Sequence, residues 1–437
     1  MPQAFDFGPV YGANSSMIRI DALRTQARLL FDAAVAAADP AKAVRRGLAE
    51  NPPPVKKPGG RTFLIAIGKA APAMLGEAMI ALPDPYAALA VTHHENNATL
   101  HDAEILRAGH PVPDEAGARA AQRVKELLKE ATDQDRVIAL ISGGGSALLP
   151  APPPGVSLAD KARLNGLLLS AGLDIVQMNL VRQQVSLLKG GGFARLAAPA
   201  SVTAYLLSDV IGDELRAIAS GPTVSPIGTA QEAVETLKDA GIWDAVPETI
   251  RSYLEQTQNQ SPVPLPKAVN VLVGSNRLSI EAMVAEAEQL GLNARIVSDA
   301  LTGDVAEAAH VVLSELIPRP EPTALLFGGE TTVRITGTGR GGRNQELALR
   351  VALQAHDVAG EWVFLSGGTD GRDGPTDAAG GLVDSGTVPR IIAAGQDAQA
   401  LLANNDSYAA LAAGGDLLMT HATGTNVADV QVLLIAP

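Results

Sequence analysis

The chain has no cysteine, few aromatic residues and no long apolar run. Without cysteine there can be no disulfide, thiolate nucleophile or thiolate metal site, which suits a cytoplasmic protein. Aromatic residues make up 3% of the chain and apolar residues 46%. The cores must therefore be built from Ala, Val, Leu and Ile, as in α/β proteins with many small helix–sheet contacts. No apolar run approaches the roughly 18 residues of a membrane-spanning helix, so no membrane partner is expected. The N-terminus lacks the charged-then-apolar pattern of a secretion signal, and residues 1–16 read as a loose leader. Positive charge is in the minority, with 34 Lys and Arg against 47 Asp and Glu and a net charge of −13. That balance argues against a nucleic-acid partner held by bulk electrostatics, while allowing a local basic pocket for a small anion.

At 437 residues the chain is too long for one ordinary core, so two domains are expected. The most linker-like segment is QTQNQSPVPLPK, Gln256–Lys267, which divides the chain into residues 1–260 and 261–437. Helical periodicity runs from about Ile18 to Leu48 with a break at Pro40. Apolar runs at 63–67, 87–92, 137–141 and 202–207 read as strands of the first domain. Runs at 268–273, 294–298, 323–327, 362–365, 417–420 and 427–435 read as strands of the second.

The same theme recurs at 63–74, 137–149, 323–349 and 361–384: a strand, a glycine-rich loop carrying charge, then a helix or polar turn. The first loop delivers Lys69 at a strand-to-helix switch, the usual ligand edge of an α/β sheet. The second, SGGGSALL, places Gly143, Gly144, Gly145 and Ser146 as a phosphate cradle. The third, GGETTVRITGTGRGGRNQELAL, combines four clustered glycines with Arg340 and Arg343. Asn344 is the expected N-cap of the helix that follows. Orphan N–H groups and two guanidiniums there describe an anion site. The fourth, SGGTDGRDGPTDAAGGLVD, is rich in carboxylates, among them Asp370.

Further along the first half, LSDVIGDEL places Asp209 and Asp213 just past a strand end, where a carboxylate can bind Mg²⁺ or accept a proton. Lys189 ends a helix before three glycines. His110, in AGHPVPDE, could touch a substrate, with turn stabilisation the plainer role. The adjacent His93 and His94 point apart, which argues against a shared metal. Each of these groups has a plainer reading as a surface lysine, helix cap or solvated turn. Neither a Walker A loop nor a GxGxxG fingerprint after a strand is present. The pattern alone stops at an α/β enzyme handling a small phosphorylated anion.

Taken together, IGKAAPAM, GHPVPDE, ISGGGSAL, LVRQQVSLLKGGGFARLA, LLSDVIGDELRAIASGPTVSP, the Gly328–Leu349 stretch and SGGTDGRDGPTDAAG resemble the glycerate 2-kinases with a C-terminal leucine-rich, MOFRL-type domain. The resemblance runs from about residue 20 to the end, with the motifs in the same order. It implies an N-terminal Rossmann-like α/β/α sandwich, a smaller C-terminal α/β domain and an active site in the cleft between them. It also implies ATP- and Mg²⁺-dependent phosphorylation of D-glycerate at its 2-hydroxyl by a cytoplasmic monomer or homodimer. Matched by motif, the family's lysine, aspartate and arginine fall on Lys69, Asp209 and Arg343. Gly143 to Ser146 and Lys189 would hold nucleotide phosphates. Arg340, Asn344 and Glu330 would contact the substrate or support groups that do, and Asp213 and Asp370 would bind the metal. Two other readings compete: a nicotinamide-dependent hydroxypyruvate reductase, and a non-catalytic binder of small phosphorylated acids.

Overall fold

A computed structural model describes residues 11–259 and 263–437. Residues 1–10 of the expected leader lie outside them, and residues 11–16 belong to the helix Tyr11–Ala37. The chain forms two compact units. One is Pro40–Ser275; the other joins the segment ending at Asp39 to Asn276–Pro437.

The first unit is built on β1 (Thr62–Ile67), β2 (Ala87–His93), β3 (Glu104–Ala108), β4 (Arg136–Ile141), β5 (Ser201–Leu207) and β6 (Ala268–Gly274). They form one sheet in the order β3-β2-β1-β4-β5-β6, and every pairing is parallel. Continuous apolar runs such as FLIAI and VIALI suit this arrangement, because helices cover both faces of a parallel sheet. Phe63, Ile65, Ile67, Val137, Ala139 and Ile141 pack with Ala120, Val124, Leu127 and Leu128 of the helix Glu115–Glu130. Asp114 caps the start of that helix, accepting from the Gly117 N–H at 2.9 Å. A second apolar cluster joins the helices Leu158–Ser170, Ile175–Gln184, Ala230–Asp239 and Glu248–Thr257 through Leu164, Leu168, Val181, Val185, Leu237 and Ile250.

The chain winds outward from β1 to β3 and then returns to the other side of β1 at β4. That reversal is a topological switch point, where ligands of open α/β sheets bind. Ile67 lies opposite Ile141, and Ile141 opposite Leu206. The loops after β1, β4 and β5 therefore emerge level with one another.

The second unit contains β7 (Asn293–Ser298), β8 (Gly303–Asp304), β9 (Thr323–Gly329), β10 (Thr331–Thr332), β11 (Trp362–Gly368), β12 (Ala378–Asp384), β13 (Leu417–Met419) and β14 (Asp429–Ile435). Its main sheet has the order β13-β12-β11-β14-β9-β7, and β8 pairs separately with β10. β7 and β9 run parallel, and the other pairs of the main sheet are antiparallel. One face packs Leu30, Phe31, Ile280 and Met283 against Leu326, Val363, Leu365 and Val432. The other packs Val305, Val312, Leu347 and Val351 against Leu325, Phe327, Phe364 and Leu433.

The expected division at residues 260 and 261 does not match these units. β6 follows the Pro-rich segment yet pairs with β5, Tyr205 opposite Val271. The helix Tyr11–Ala37 packs on the second sheet through Leu30 and Phe31. Proline and glutamine mark exposed backbone, but they do not determine which sheet edge the next strand joins. Among the described residues, no helix is long and apolar enough to cross a membrane.

Candidate active site

Three strand ends of the first unit build the site. After β1, Gly68 adopts φ +128°, and a Cβ there would lie 2.1 Å from the Ser142 hydroxyl. Only glycine lets the loops after β1 and β4 approach this closely. The Lys69 N–H donates to the Gly143 carbonyl at 2.9 Å, and the Ala70 N–H donates to Ser142 Oγ at 3.1 Å. Lys69 is exposed, with its backbone carbonyl held by the Thr92 hydroxyl at 3.2 Å and the Asn96 amide at 3.3 Å.

Asp209, after β5, packs directly on this loop: a Cβ on Gly143 would lie 2.1 Å from its Oδ2. Burial pushes the Asp209 carboxyl above its ordinary range, and the nearby Lys69 charge opposes that shift. Gly144, at φ +85°, sits between the Lys69 stem and the His110 ring, where a Cβ would lie 3.2 and 3.1 Å from them. Burial, then the Lys69 charge, lowers the pKa of His110 and favours its neutral imidazole. The expected turn histidine is thus part of the site. Among the described residues, the N–H groups of Gly143 and Gly144 bond to no protein acceptor.

Ser146 links this loop to a second group of residues. Its hydroxyl accepts from Lys189 Nζ at 2.7 Å and lies 3.0 Å from the Ser220 hydroxyl. Ser220 belongs to a left-handed run, with φ of 48° at Ala219, 61° at Ser220 and 63° at Gly221. Such strain costs on the order of 1–3 kcal/mol per non-glycine residue and persists only where neighbours impose it. Buried Gln183 does so, donating to the Arg216 and Ser220 carbonyls at 3.1 and 3.2 Å.

Lys189, Ser146, Gly144 and His110 line a cavity of about 460 Å³ that also contains Lys161 and Arg182 and, among the described residues, no acidic residue. Lys189 is 7% exposed. Burial, with Arg182 adding to it, lowers its pKa to about 7. Lys161 donates to the Pro150 and Val185 carbonyls at 2.8 and 2.7 Å. Arg182 donates through Nε and Nη2 to Asn165 Oδ1, the Nε bond measuring 2.8 Å. Among the described residues, none of these three cations has a carboxylate partner. Sequence reading passed over Lys161, Arg182 and Asn165. One signal was available: from Ile175 to Ala200 the chain carries Arg182, Lys189 and Arg195 but no carboxylate.

The arginine-rich stretch of the second unit departs from expectation. The helix Arg343–Gln354 has Gly342, not Asn344, at its N-cap. Its first amides are occupied by the protein's own Asp373, which accepts from the Asn344 and Gln345 N–H groups at 3.1 and 2.8 Å. Burial pushes the Asp373 carboxyl up to about 6. Upstream, the N–H groups of Thr336, Gly337, Thr338 and Arg340 go to Asn405, Asn404 and Asp406. The N–H groups of residues 336–338, 340, 344 and 345 are therefore satisfied internally. A local reading could not show that a distant loop would supply the carboxylate.

Arg343 pairs with the buried Asp429 at 2.6 and 3.0 Å and with Glu330 at 3.0 Å. Arg340 stacks 4.8 Å from the Tyr408 ring centroid and donates to the Pro375 carbonyl at 3.0 Å. Asn344 is buried and accepts from the Ser366 hydroxyl at 2.6 Å. Asp370 accepts from the Arg372 N–H at 2.9 Å. Among the described residues, no group of three or more His, Cys, Asp or Glu is arranged to hold a metal.

A doubly wound parallel sheet with a lysine, a glycine loop and a carboxylate at its switch point defines an α/β protein built to handle a small anion. Residues 26–255 match the family described as a domain of unknown function (DUF4147), and residues 323–429 match the MOFRL family. The D-glycerate 2-kinase of Thermotoga maritima is 40% identical, the match covering 86% of this chain and 91% of that protein. An Agrobacterium vitis protein named putative hydroxypyruvate reductase is 39% identical, with 93% of each chain covered. The crystal structure of glycerate kinase from Thermotoga maritima aligns with a TM-score of 0.89 and 38% identity, over 95% of this chain and 100% of that one. The chain belongs to the glycerate kinase family.

Proposed function

We propose that this protein transfers the γ-phosphoryl group of ATP to the 2-hydroxyl of D-glycerate, giving 2-phospho-D-glycerate and ADP. The observation that carries the reading is the Asp209 carboxylate held against the Gly143 loop, with the Lys69 charge close by. Asp209 accepts the proton of the attacking hydroxyl. Its burial raises its basicity above that of an exposed carboxylate, as the role requires. The hydroxyl oxygen bonds to the γ-phosphorus as the bond to the β-phosphate oxygen breaks. Lys69 and the free N–H groups of Gly143 and Gly144 stabilise the charge spread over the transferring oxygens. Gly145, Ser146 and Lys189 hold the other phosphates.

The 2-hydroxyl assignment follows the relative named D-glycerate 2-kinase. Mg²⁺ fits Asp213, whose Oδ1 is buried without a hydrogen-bond partner among the described residues. Asp370 fits less well, since Asp370 Oδ1 already accepts from Arg372. Held at Asp213, the ion would neutralise phosphate charge. Within the second unit, Arg343 offers a cation to a small carboxylate, with Glu330 as the exchangeable partner and Asp429 as the fixed one. Arg340, which is exposed, adds a second positive charge, and Asn344 braces Asp373 at the helix start.

The test is ADP release with D-glycerate, ATP and Mg²⁺, with the product then offered to enolase. Turnover followed by enolase conversion supports phosphorylation at the 2-hydroxyl. A product that enolase ignores moves the phosphate to the 3-hydroxyl. The sheet order is also that of dinucleotide-binding domains, so absence of ADP release with oxidation of a nicotinamide cofactor by hydroxypyruvate would establish the reductase instead. The loop after β1 reads IGKAAPAM and lacks the glycine fingerprint of such domains.

A further inference from the structure

We propose that Arg182, positioned by Asn165, forms with Lys189 and Lys161 the seat for the polyphosphate tail of the nucleotide, and that the cavity beside them takes its nucleoside. The proposal rests on the kinase reading, which already uses Lys189, and adds Arg182, Asn165 and Lys161, which that reading leaves unused.

The argument begins with charge. Three cations line one cavity with no acidic residue among the described residues of its wall. Buried cations are normally paired, because removing a charge from water without compensation costs several kcal/mol. Lys189 is only 7% exposed and, among the described residues, has only the Ser146 hydroxyl as a partner. A hydroxyl does not neutralise an ammonium. Lys161 spends two donors on backbone carbonyls, which fixes its head group and leaves its charge uncompensated. Such a cluster persists where an external anion supplies the missing charge. Glycerate brings a single negative charge, whereas a nucleoside di- or triphosphate brings three or four and matches the cluster.

Geometry points the same way. Asn165 Oδ1 takes both Nε and Nη2 of Arg182, which fixes the plane of the guanidinium and leaves Nη1 to bind a ligand. An asparagine orients the arginine without neutralising it, as a carboxylate would. The cavity of about 460 Å³ is far larger than glycerate needs and lies in the range of nucleotide-sized sites. Val112, Leu158, Leu164 and Val185 give it an apolar wall suited to a ribose and base. Ser146 joins it to the Gly143–Gly145 loop and so to the phosphoryl-transfer site.

The experiment is titration calorimetry of the full-length protein with ADP and with inorganic pyrophosphate, alongside steady-state kinetics. Arg182→Met should weaken both ligands about tenfold or more, as loss of a charged hydrogen bond implies. It should leave the KM for D-glycerate within about twofold, the expected limit for a residue outside that subsite. Arg182→Lys, which keeps the charge, should recover part of the loss, and Asn165→Leu should weaken pyrophosphate binding while retaining it in part. A raised glycerate KM with unchanged ADP binding would overturn the proposal and assign the cluster to the substrate carboxylate. Unchanged ADP binding in a folded Arg182→Met protein, judged by an unchanged melting temperature, would also overturn it. Arg182-dependent ADP binding by a wild-type protein that makes no phosphoglycerate would sink the kinase reading alone and leave the nucleotide seat standing.

Discussion

Lys189 is both a cost to the fold and a resource for binding. Burial holds its pKa at about 7, whereas an unfolded lysine titrates near 10.4. Between those values the unfolded chain carries a proton that the folded chain lacks, so this residue makes stability rise with pH from about 7 to about 10. Below pH 7 both states are charged and the full penalty, on the order of a few kcal/mol, is present. Lys189→Met should therefore be more stable than the parent near pH 7 in urea unfolding. The advantage should shrink by pH 9.5, and pyrophosphate binding should be lost. An advantage that does not change with pH would mean that burial of the ammonium charge is not its source. Asp209 supplies a second residue-scale test. A methyl group on Gly143 would collide with its Oδ2 at 2.1 Å. Gly143→Ala should thus approach Asp209→Asn in lost turnover, by about 100-fold or more for a displaced general base, with little change in melting temperature. Near-normal kcat in either variant would remove Asp209 from the mechanism.

The element scale separates what was legible locally from what was not. The strands at 63–67, 137–141 and 202–207 could be read from their apolar runs. The helix Arg343–Gln354 was equally visible, but its N-terminal partner was not. Asp373 lies 30 residues from Arg343 in sequence, and only folding brings its carboxylate to those amides. The same folding places buried Asp429 against Arg343. Arg343→Ala should therefore reduce turnover and also destabilise the second unit by about 3–5 kcal/mol, because one charge of a buried pair is left alone. Adding Asp429→Asn should restore most of the stability. Turnover that returns along with it would show Arg343 to be structural rather than catalytic. The helix Tyr11–Ala37 offers another test. Phe31 is 1% exposed among Leu365, Leu418 and Val432, so Phe31→Ala should cost about 3–5 kcal/mol. Hydrogen exchange should register that loss in the second sheet, although residue 31 precedes the whole first unit in the chain.

For the whole molecule, the division into units has a direct consequence. A fragment of residues 40–275 retains all six strands of the first sheet. It should fold and bind pyrophosphate, as shown by cooperative melting and calorimetry. A fragment ending at residue 260 loses β6, exposes the β5 edge and retains the helix Tyr11–Ala37 without its sheet. It should aggregate. A well-behaved shorter fragment would show that the linker-like segment is the real boundary. The sequence by itself determined the fold class, the strand ends that bear Lys69, the Gly143–Ser146 loop and Asp209, and the family, because these depend on local apolar runs, turn chemistry and ordered motifs. Tertiary structure decided which sheet each terminal element joins, that Asp373 takes the Asn344 and Gln345 amides at the expected anion site, and that Lys161, Arg182 and Lys189 share one cavity with no carboxylate among the described residues. Those outcomes depend on contacts between residues far apart in the chain, and hydrophobic periodicity records that a face is buried without recording what it is buried against.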